Sequence, residues 1–280
     1  MTEKKQKKGK ETSPEEAVDG EEKIHVEKDI MEEVPTEEQA PAVAQPEEKV
    51  IGWKPKTTLG KKVQTGQITD IRQILHEGQK IMEAPIVDIL LPNLETDLLL
   101  IGQSKGKFGG GQRRVFRQTQ KKTMEGNNPS FAAYAIVGNK KGIIGLGYGK
   151  SKETVPAREK ALRNAKLQIF EIRRGGGSWE SISDEPHSIP FAVHGKCGSV
   201  EITLLPAPKG KGLVCEKEVA KILRLAGIKD IWSRTKGQTG SKMNLVKATE
   251  MALRQLMTFK LPAERRIELE AINEAAYHGS

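Results

Sequence analysis

Residues 130–151 read SFAAYAIVGNKKGIIGLGYGKS, a stretch that combines an apolar strand, a polar turn and a glycine-rich run. SFAAYAIVG (130–138) is apolar on both faces of a strand, and NKKG (139–142) is typical of a reversal. The next run, IIGLGYG (143–149), leads into GLGYGKS (145–151), whose glycines predict a tight turn from a strand into a helix. Such a turn would present backbone amides and a helix N-terminus to an anion, as phosphate-binding sites do.

The flanking segments complete a small domain of helix, three antiparallel strands and helix. A helical stretch is predicted at 94–101, a strand at RRVFRQTQKKT (113–123) and its reversal at EGNNP (125–129). A helix at 152–171 follows the glycines. Its predicted apolar stripe consists of Val155, Leu162, Ala165 and Ile169.

A second α/β unit is predicted after the glycine-rich linker RRGGGSWESISDEP (173–186). Its predicted strands lie at 188–195, 199–206 and 231–233, and its predicted helices at 216–226 and 244–257. The apolar stripes of these helices are Val219, Ile222, Leu223 and Ala226 in the first, and Leu245, Ala248, Ala252 and Leu256 in the second. The predicted fold class is therefore α+β.

The charge of the chain is unevenly distributed. The 280 residues carry a formal net charge of +9, but residues 1–50 contain eight Lys and fifteen Asp or Glu. That segment has a net charge of −7, so residues 51–280 carry +16. A strongly basic body with only 4% aromatic residues is typical of proteins that bind a phosphate backbone and unusual for small-molecule sites. Nucleic acid is the predicted partner, and no small-molecule substrate is expected.

The composition predicts no metal, disulfide or membrane segment. The only cysteines are Cys197 and Cys215, without CxxC spacing, and the set of His187, His194 and Cys197 lacks the spacing of a zinc site. No apolar run approaches the roughly 18 residues that span a bilayer. Residues 1–50 have too few apolar side chains to fold and are predicted to be a disordered acidic tail. These patterns predict a cytoplasmic protein without a cofactor.

The predicted RNA-binding residues come from the basic hairpin, the polar turn and the glycine turn. They are Arg113, Arg114, Arg117, Lys121, Lys122, Lys140, Lys141, Lys150 and Lys152. A flexible basic loop, GQSKGKFGGGQ (102–112), precedes them. No Asp or Glu lies between positions 98 and 124, so the positive field of the hairpin is not balanced locally. The alternative interpretation is that these cations only form a solvated edge.

No catalytic pattern accompanies these residues. GYGKS resembles the end of a P-loop, but Ile144 occupies the position of the first glycine that a P-loop requires. A dinucleotide-binding fingerprint fails because Lys150 stands where a glycine is needed. Neither GxSxG nor HExxH occurs. The sequence therefore predicts no catalytic residue.

Several segments, taken in order, resemble the fifth protein of the small ribosomal subunit, the S-five family, in its archaeal form. The segments are WKPKTTLGK (53–61), EAPIVDILLP (83–92), AIVGNKKGIIGLGYGKSKE (135–153), AKLQIFEIRRGGGSW (165–179), PHSIPFAVHGKCGSVEITLLPAPKGKGLV (186–214), LRLAGIKDIWSRTKGQT (223–239) and NLVKATEMAL (244–253). The resemblance covers about residues 51–260. The acidic tail has no counterpart in it.

This resemblance implies a double-stranded-RNA-binding-like domain of α-β-β-β-α order, followed by an α/β domain of the left-handed βαβ type. The implied division of the chain is an acidic tail (1–50), a basic N-terminal extension (51–93), the RNA-binding-like domain (94–172), a linker (173–186), a C-terminal domain (187–260) and a charged tail (261–280). Some archaeal relatives carry cysteines in the linker, where this chain has GGGSWESISDEP, so no metal is expected there.

The resemblance also implies the partners. Relatives lie on the body of the small subunit near the point where messenger RNA enters, contact ribosomal RNA and the S-four protein, and support decoding accuracy. The turn PAPKGKG (206–212) faces the S-four protein in the family, which makes Lys209, Gly210, Lys211 and Gly212 the predicted protein contact. From the residues alone, two other functions stay open: a stand-alone duplex-RNA-binding regulator and a nucleotide-dependent enzyme.

Overall fold

The structure, a computed structural model, describes residues 53–104, 111–176 and 185–258. These residues form two β-sheets and six α-helices, and both sheets belong to one structural unit, Glu48–Ser280. The predicted acidic tail and the predicted charged tail at 261–280 lie outside the described residues. Most of the predicted basic loop at 102–112 lies outside them too.

The first sheet is antiparallel and has five strands. They are β1 (Glu95–Leu98), β2 (Arg117–Thr123), β3 (Gly126–Gly138), β4 (Ile143–Ser151) and β5 (Ile169–Glu171). The order is β1-β3-β4-β5, and β2 pairs with the first half of β3. The reversal between β2 and β3 involves only Met124 and Glu125, so most of the predicted turn at 125–129 belongs to β3 instead.

Three short helices precede the sheet: α1 (Thr58–Gln64), α2 (Ile71–His76) and α3 (Ala84–Leu90). The predicted helix at 94–101 is wrong, because its first half pairs with β3 as β1. Pro92 ends the helical stretch after α3, and the open edge of β3 offers hydrogen bonds to the chain that follows. The helix that precedes the strands is therefore α3, whose Ile86 and Val87 are buried in the same cluster as one side of β3.

The predicted glycine turn at 145–151 is also wrong, because β4 runs through it as a regular strand. Gly145, Gly147 and Gly149 lie on the face of β4 that packs against α4 (Thr154–Leu167). A Cβ at Gly147 would lie 2.1 Å from the backbone nitrogen of Ala165, closer than any side chain can approach. Glycine is therefore required for the contact between strand and helix, and not for a turn.

The helix α4 meets this glycine row with alanines. Its buried residues are Ala157, Ala161 and Ala165, whereas Val155 of the predicted stripe is exposed. The helix ends at Leu167, earlier than predicted, and the chain continues as β5. Small residues on both partners let the helix lie directly on the strand, which produces the dense packing of a protein interior.

The second sheet has four strands in the order β6-β7-β9-β8. They are β6 (Val193–Cys197), β7 (Val200–Pro206), β8 (Leu213–Val214) and β9 (Ile231–Lys236). The helix α5 (Lys217–Ala226) connects β8 to the parallel strand β9, and α6 (Lys242–Thr258) packs against β6 and β7. All eight residues of the two predicted helix stripes are buried, so both stripes are confirmed. The two-domain α+β fold class is confirmed as well.

The two sheets share one hydrophobic core. It joins Tyr134, Ile136, Ile144 and Leu146 of the first sheet to Val219, Ile222 and Leu225 of α5. The other face of β3 contributes Ala133, Ala135 and Val137 to the cluster around α3 and α4. Both faces of the second half of β3 are thus buried, which explains why residues 131–138 are apolar throughout.

Candidate nucleic-acid interface

The hairpin of β2 and β3 extends beyond the rest of the first sheet as a two-stranded ribbon. Residues 126–130 of β3 pair only with β2, and neither β1 nor β4 reaches them. All seven residues of β2 are exposed, as is the start of β3. Gly126 adopts a φ of +118° beside the two-residue turn, a conformation that favours glycine. The ribbon therefore carries its cationic side chains away from the core.

The strand register places two of the predicted RNA-binding residues in one row. Arg117 and Lys150 are the partners of Ala132 on its two sides. Because paired residues share a face, both side chains lie on the same face of the sheet, about 10 Å apart across three strands. Lys121 lies on that face further along β2, whereas Lys122 lies on the opposite face.

The cations at this end of the sheet are available for phosphate. Seven of the predicted residues make no ion pair with any described residue, and we call them the hairpin-end cations: Arg113, Arg114, Arg117, Lys121, Lys122, Lys150 and Lys152. Arg113 is partly buried and the other six are exposed. The guanidinium of Arg117 contacts only the Met243 sulfur, at 3.4 Å, among the described residues. Unbalanced cations on one surface attract a polyanion.

The structure does not bring Lys140 and Lys141 to this cluster. They lie in the turn after β3, about 20 Å along the strand from Ala132. Lys140 pairs with Glu95, and the Lys141 carbonyl accepts a hydrogen bond from Arg174 Nη2 at 3.1 Å. The nine predicted residues therefore form two separate groups.

Arg174 is a structural residue that the sequence analysis missed. Its side chain is almost fully buried, and its guanidinium donates to the carbonyls of Lys140, Lys141 and Gly227 at 3.4, 3.1 and 3.5 Å. Burial lowers the pKa of Arg174 to about 10, so it stays charged at neutral pH. The residue ties the turn after β3 to the end of α5. Its position in a glycine-rich stretch gave no signal of burial.

The predicted protein-contact turn is exposed at Lys209, Gly210 and Lys211 and partly buried at Gly212, and it leads into β8 before the helix α5 begins. Gly210 and Gly212 adopt φ values of +88° and +72°. The Gly212 N–H donates to Asp230 Oδ1 at 2.7 Å. Lys209 pairs with Glu185 at 2.9 Å, and this contact holds the pKa of Glu185 below its ordinary value. The turn is therefore exposed and held in one shape.

A buried histidine–aspartate pair lies next to this turn, and its aspartate is the one that accepts the Gly212 hydrogen bond. His187 Nδ1 lies 3.1 Å from Asp230 Oδ2, and both side chains are buried. Asp230 is thus the structural partner of His187, which the sequence analysis considered as a metal ligand. In the part of the chain that the structure describes, no group of three His, Cys, Asp or Glu side chains could hold a metal ion. No helix in that part is long and apolar enough to cross a membrane.

Known protein families match the sequence in the regions of both sheets. Residues 112–173 match the family model for "Ribosomal protein S5, N-terminal domain", and residues 195–266 match the one for its C-terminal domain. Small ribosomal subunit protein uS5 of Nanoarchaeum equitans is 48% identical over 209 residues, which is 75% of this chain and 90% of that protein. The protein of the same name from Pyrobaculum calidifontis is 46% identical over 75% of this chain and 96% of its own length. That from Aeropyrum pernix is 44% identical over 76% of this chain and 90% of its own length.

Proposed function

The chain belongs to the ribosomal protein S5 family, and on that premise we propose that its hairpin-end cations bind the ribosomal RNA of the small subunit. Membership of the family makes it a structural, non-enzymatic constituent of the small ribosomal subunit, of archaeal type, in the cytoplasm. A stand-alone duplex-RNA-binding regulator is not supported, because the similarity extends over both sheets. A nucleotide-dependent enzyme is not supported either.

One observation carries the RNA assignment: seven cations without an ion pair to any described residue lie at one end of the first sheet, and three of them stand on the exposed strand β2. A nucleic acid presents regularly spaced phosphates, and each phosphate that a Lys or Arg neutralises releases condensed counterions. Such contacts position the protein and carry no sequence information by themselves. We therefore assign affinity and orientation to this surface, with little base discrimination.

We also propose that the turn at 209–212 docks the neighbouring S-four protein and that messenger RNA passes nearby as it enters the subunit. The turn supports this because it is exposed and fixed by the Gly212–Asp230 and Lys209–Glu185 contacts. A preformed turn loses little conformational entropy on contact. The messenger RNA contact rests on the family resemblance.

Sedimentation of the native protein tests the RNA assignment. We expect the tagged chain to migrate with small subunits on a sucrose gradient at moderate salt. A variant with Arg117→Gln, Lys121→Gln and Lys122→Gln should move partly to the top of the gradient, because its phosphate contacts are weakened. Wild-type chain that stays at the top in cells with normal subunit levels would contradict the assignment.

Gly212→Asp is expected to change decoding accuracy without changing the RNA affinity of the isolated protein. The new carboxylate would stand beside Asp230, which accepts the hydrogen bond of the Gly212 N–H, and would reshape the turn. A docking contact weakened by about 0.5–1 kcal/mol shifts its equilibrium roughly two- to fivefold. Misreading in a reporter strain measures the effect.

Gly212→Asn is the matched control, since Asn has the shape of Asp, also tolerates a positive φ and adds no charge. We expect it to stay closer to wild type. Equal error rates in wild type and Gly212→Asp, at normal subunit levels, would refute the docking role. A loss of soluble protein in both variants would show that the turn only shapes the second sheet.

A further inference from the structure

Among the residues that the structure describes, helices cover one face of the second sheet and leave the other face open. On β7, Val200, Ile202 and Leu204 are buried in the cluster with α5 and α6, whereas the alternate residues are only partly buried. On β9, Ile231 is buried, and its neighbour Trp232 is 40% exposed. Because side chains alternate along a strand, the partly exposed residues share the face that points away from the helices.

An apolar row crosses this open face. Trp232 is paired with Leu205 on one side and with Val214 on the other, so the three side chains are neighbours across three strands. Trp232 is 40% exposed and Val214 is 53% exposed. β9 is an inner strand, and the indole therefore lies within the sheet surface and not at its edge. Single exposed apolar residues are common, but a contiguous row around a tryptophan indicates a contact surface.

Two cations continue the face along the same strand. Arg234 and Lys236 follow Trp232 at two-residue steps, so the three side chains are spaced about 7 Å apart on one face. Neither cation makes an ion pair with a described residue. The acidic residue opposite Lys236 is Glu201, which Lys196 already pairs at 2.7 Å. The open face is therefore net positive beside its aromatic ring.

We propose that this open face binds a single-stranded RNA segment, with a base stacked on Trp232 and phosphates at Arg234 and Lys236. An aromatic platform beside a line of cations is the arrangement that binds unpaired nucleotides, because every base has a face that can stack. An acidic protein segment would match the cations, but it would leave the flat indole without a comparable partner. The inference rests on the proposed ribosomal function and adds a second, single-stranded RNA contact on the second sheet.

The test uses the full chain and a 12-nucleotide oligouridine that contains 4-thiouridine. Irradiation followed by peptide mapping should place a crosslink on Trp232 or beside it. Trp232→Leu keeps an apolar side chain but removes the stacking surface, and we expect it to weaken oligouridine binding about tenfold. Trp232→Phe should stay within about threefold of wild type, since it still stacks.

Charge variants test the phosphate contacts. Arg234→Gln with Lys236→Gln should lower the salt slope of oligouridine binding by up to about 1.4. Lys229→Gln is the control, because Lys229 is an exposed cation of the same half of the chain that lies outside the open face. We expect no change of slope for it.

A duplex RNA of 16 base pairs, bound through the hairpin-end cations, separates the two proposals. Unchanged oligouridine affinity in Trp232→Leu, with crosslinks elsewhere and duplex binding intact, would overturn the open-face inference and leave the proposed function standing. Loss of subunit incorporation in Trp232→Leu without loss of oligouridine binding would show that the face docks a protein, which also overturns it. If Trp232→Leu does not fold, the crosslink at Trp232 and the salt slope of the charge variants test the open-face inference instead. A crosslink elsewhere together with an unchanged slope would then overturn it.

Discussion

Gly147→Val is expected to destabilise the chain by about 3 kcal/mol or more, a large part of the stability of a typical domain. A Cβ at Gly147 would lie 2.1 Å from the Ala165 nitrogen and 2.3 Å from the Ala161 carbonyl oxygen. Both atoms belong to the backbone of α4, so no side-chain rotation can relieve the clash. The helix would have to move away from β4, which would open the core around α3 and α4. Urea denaturation followed by far-UV circular dichroism measures the change.

Gly240→Ala is the matched control for this variant. Gly240 does not have a positive φ, and an added Cβ there would find only ordinary contact, 3.7 Å from a flexible side-chain atom. We expect a change within about 0.5 kcal/mol. A Gly147→Val chain as stable as the control would contradict the role assigned to the glycine row.

Neutralising Arg117, Lys121 and Lys122 with glutamine is expected to weaken binding of small-subunit ribosomal RNA by about 10- to 100-fold at low salt. Exposed ionic contacts contribute up to about 1 kcal/mol each, and 1.4 kcal/mol corresponds to a factor of ten. The three side chains are exposed and form no ion pair with a described residue, so their removal should not unfold the ribbon. Filter binding at several salt concentrations measures the affinity, and the melting temperature checks the fold.

The two helices that pack on the second sheet could be predicted because their buried apolar residues recur with helical spacing. Leu245, Ala248 and Ala252 in α6 repeat with helical spacing and are all buried, as expected. β1 escaped prediction because four residues are too short to show alternation, and it pairs only because the edge of β3 is available. Its conformation is determined by tertiary pairing.

The glycines of β4 were misinterpreted for a related reason. A glycine that permits a turn and a glycine that allows a helix to pack closely against a strand look the same in a sequence. The difference lies in what the missing Cβ would touch, here the backbone of α4 at Gly145, Gly147 and Gly149. Only the packed structure supplies that partner, so local sequence could not separate the two cases.

The residue types of the proposed RNA surface could be predicted from the sequence, but their positions only in part. The unbalanced run of cations led to the prediction of RNA contact at the hairpin without any knowledge of its neighbours. The row that joins Arg117 to Lys150 depends on strand register, which the sequence did not specify. Lys140 is separated from this group because β3 and β4 are antiparallel. Lys150, near the end of β4, pairs with Ala132 of β3, whereas Lys140 lies in the turn that follows Gly138.

The salt dependence of ribosomal RNA binding tests the central claim most directly. It compares wild type, the hairpin variant with Arg117, Lys121 and Lys122 changed to glutamine, and a control of equal net charge with glutamine at Lys209, Lys211 and Lys229. We expect the slope of log affinity against log salt to fall by up to about 2.7 in the hairpin variant and to stay near the wild-type slope in the control. Equal slopes in the two variants would contradict it, because the binding would then follow total charge and not the hairpin end of the first sheet.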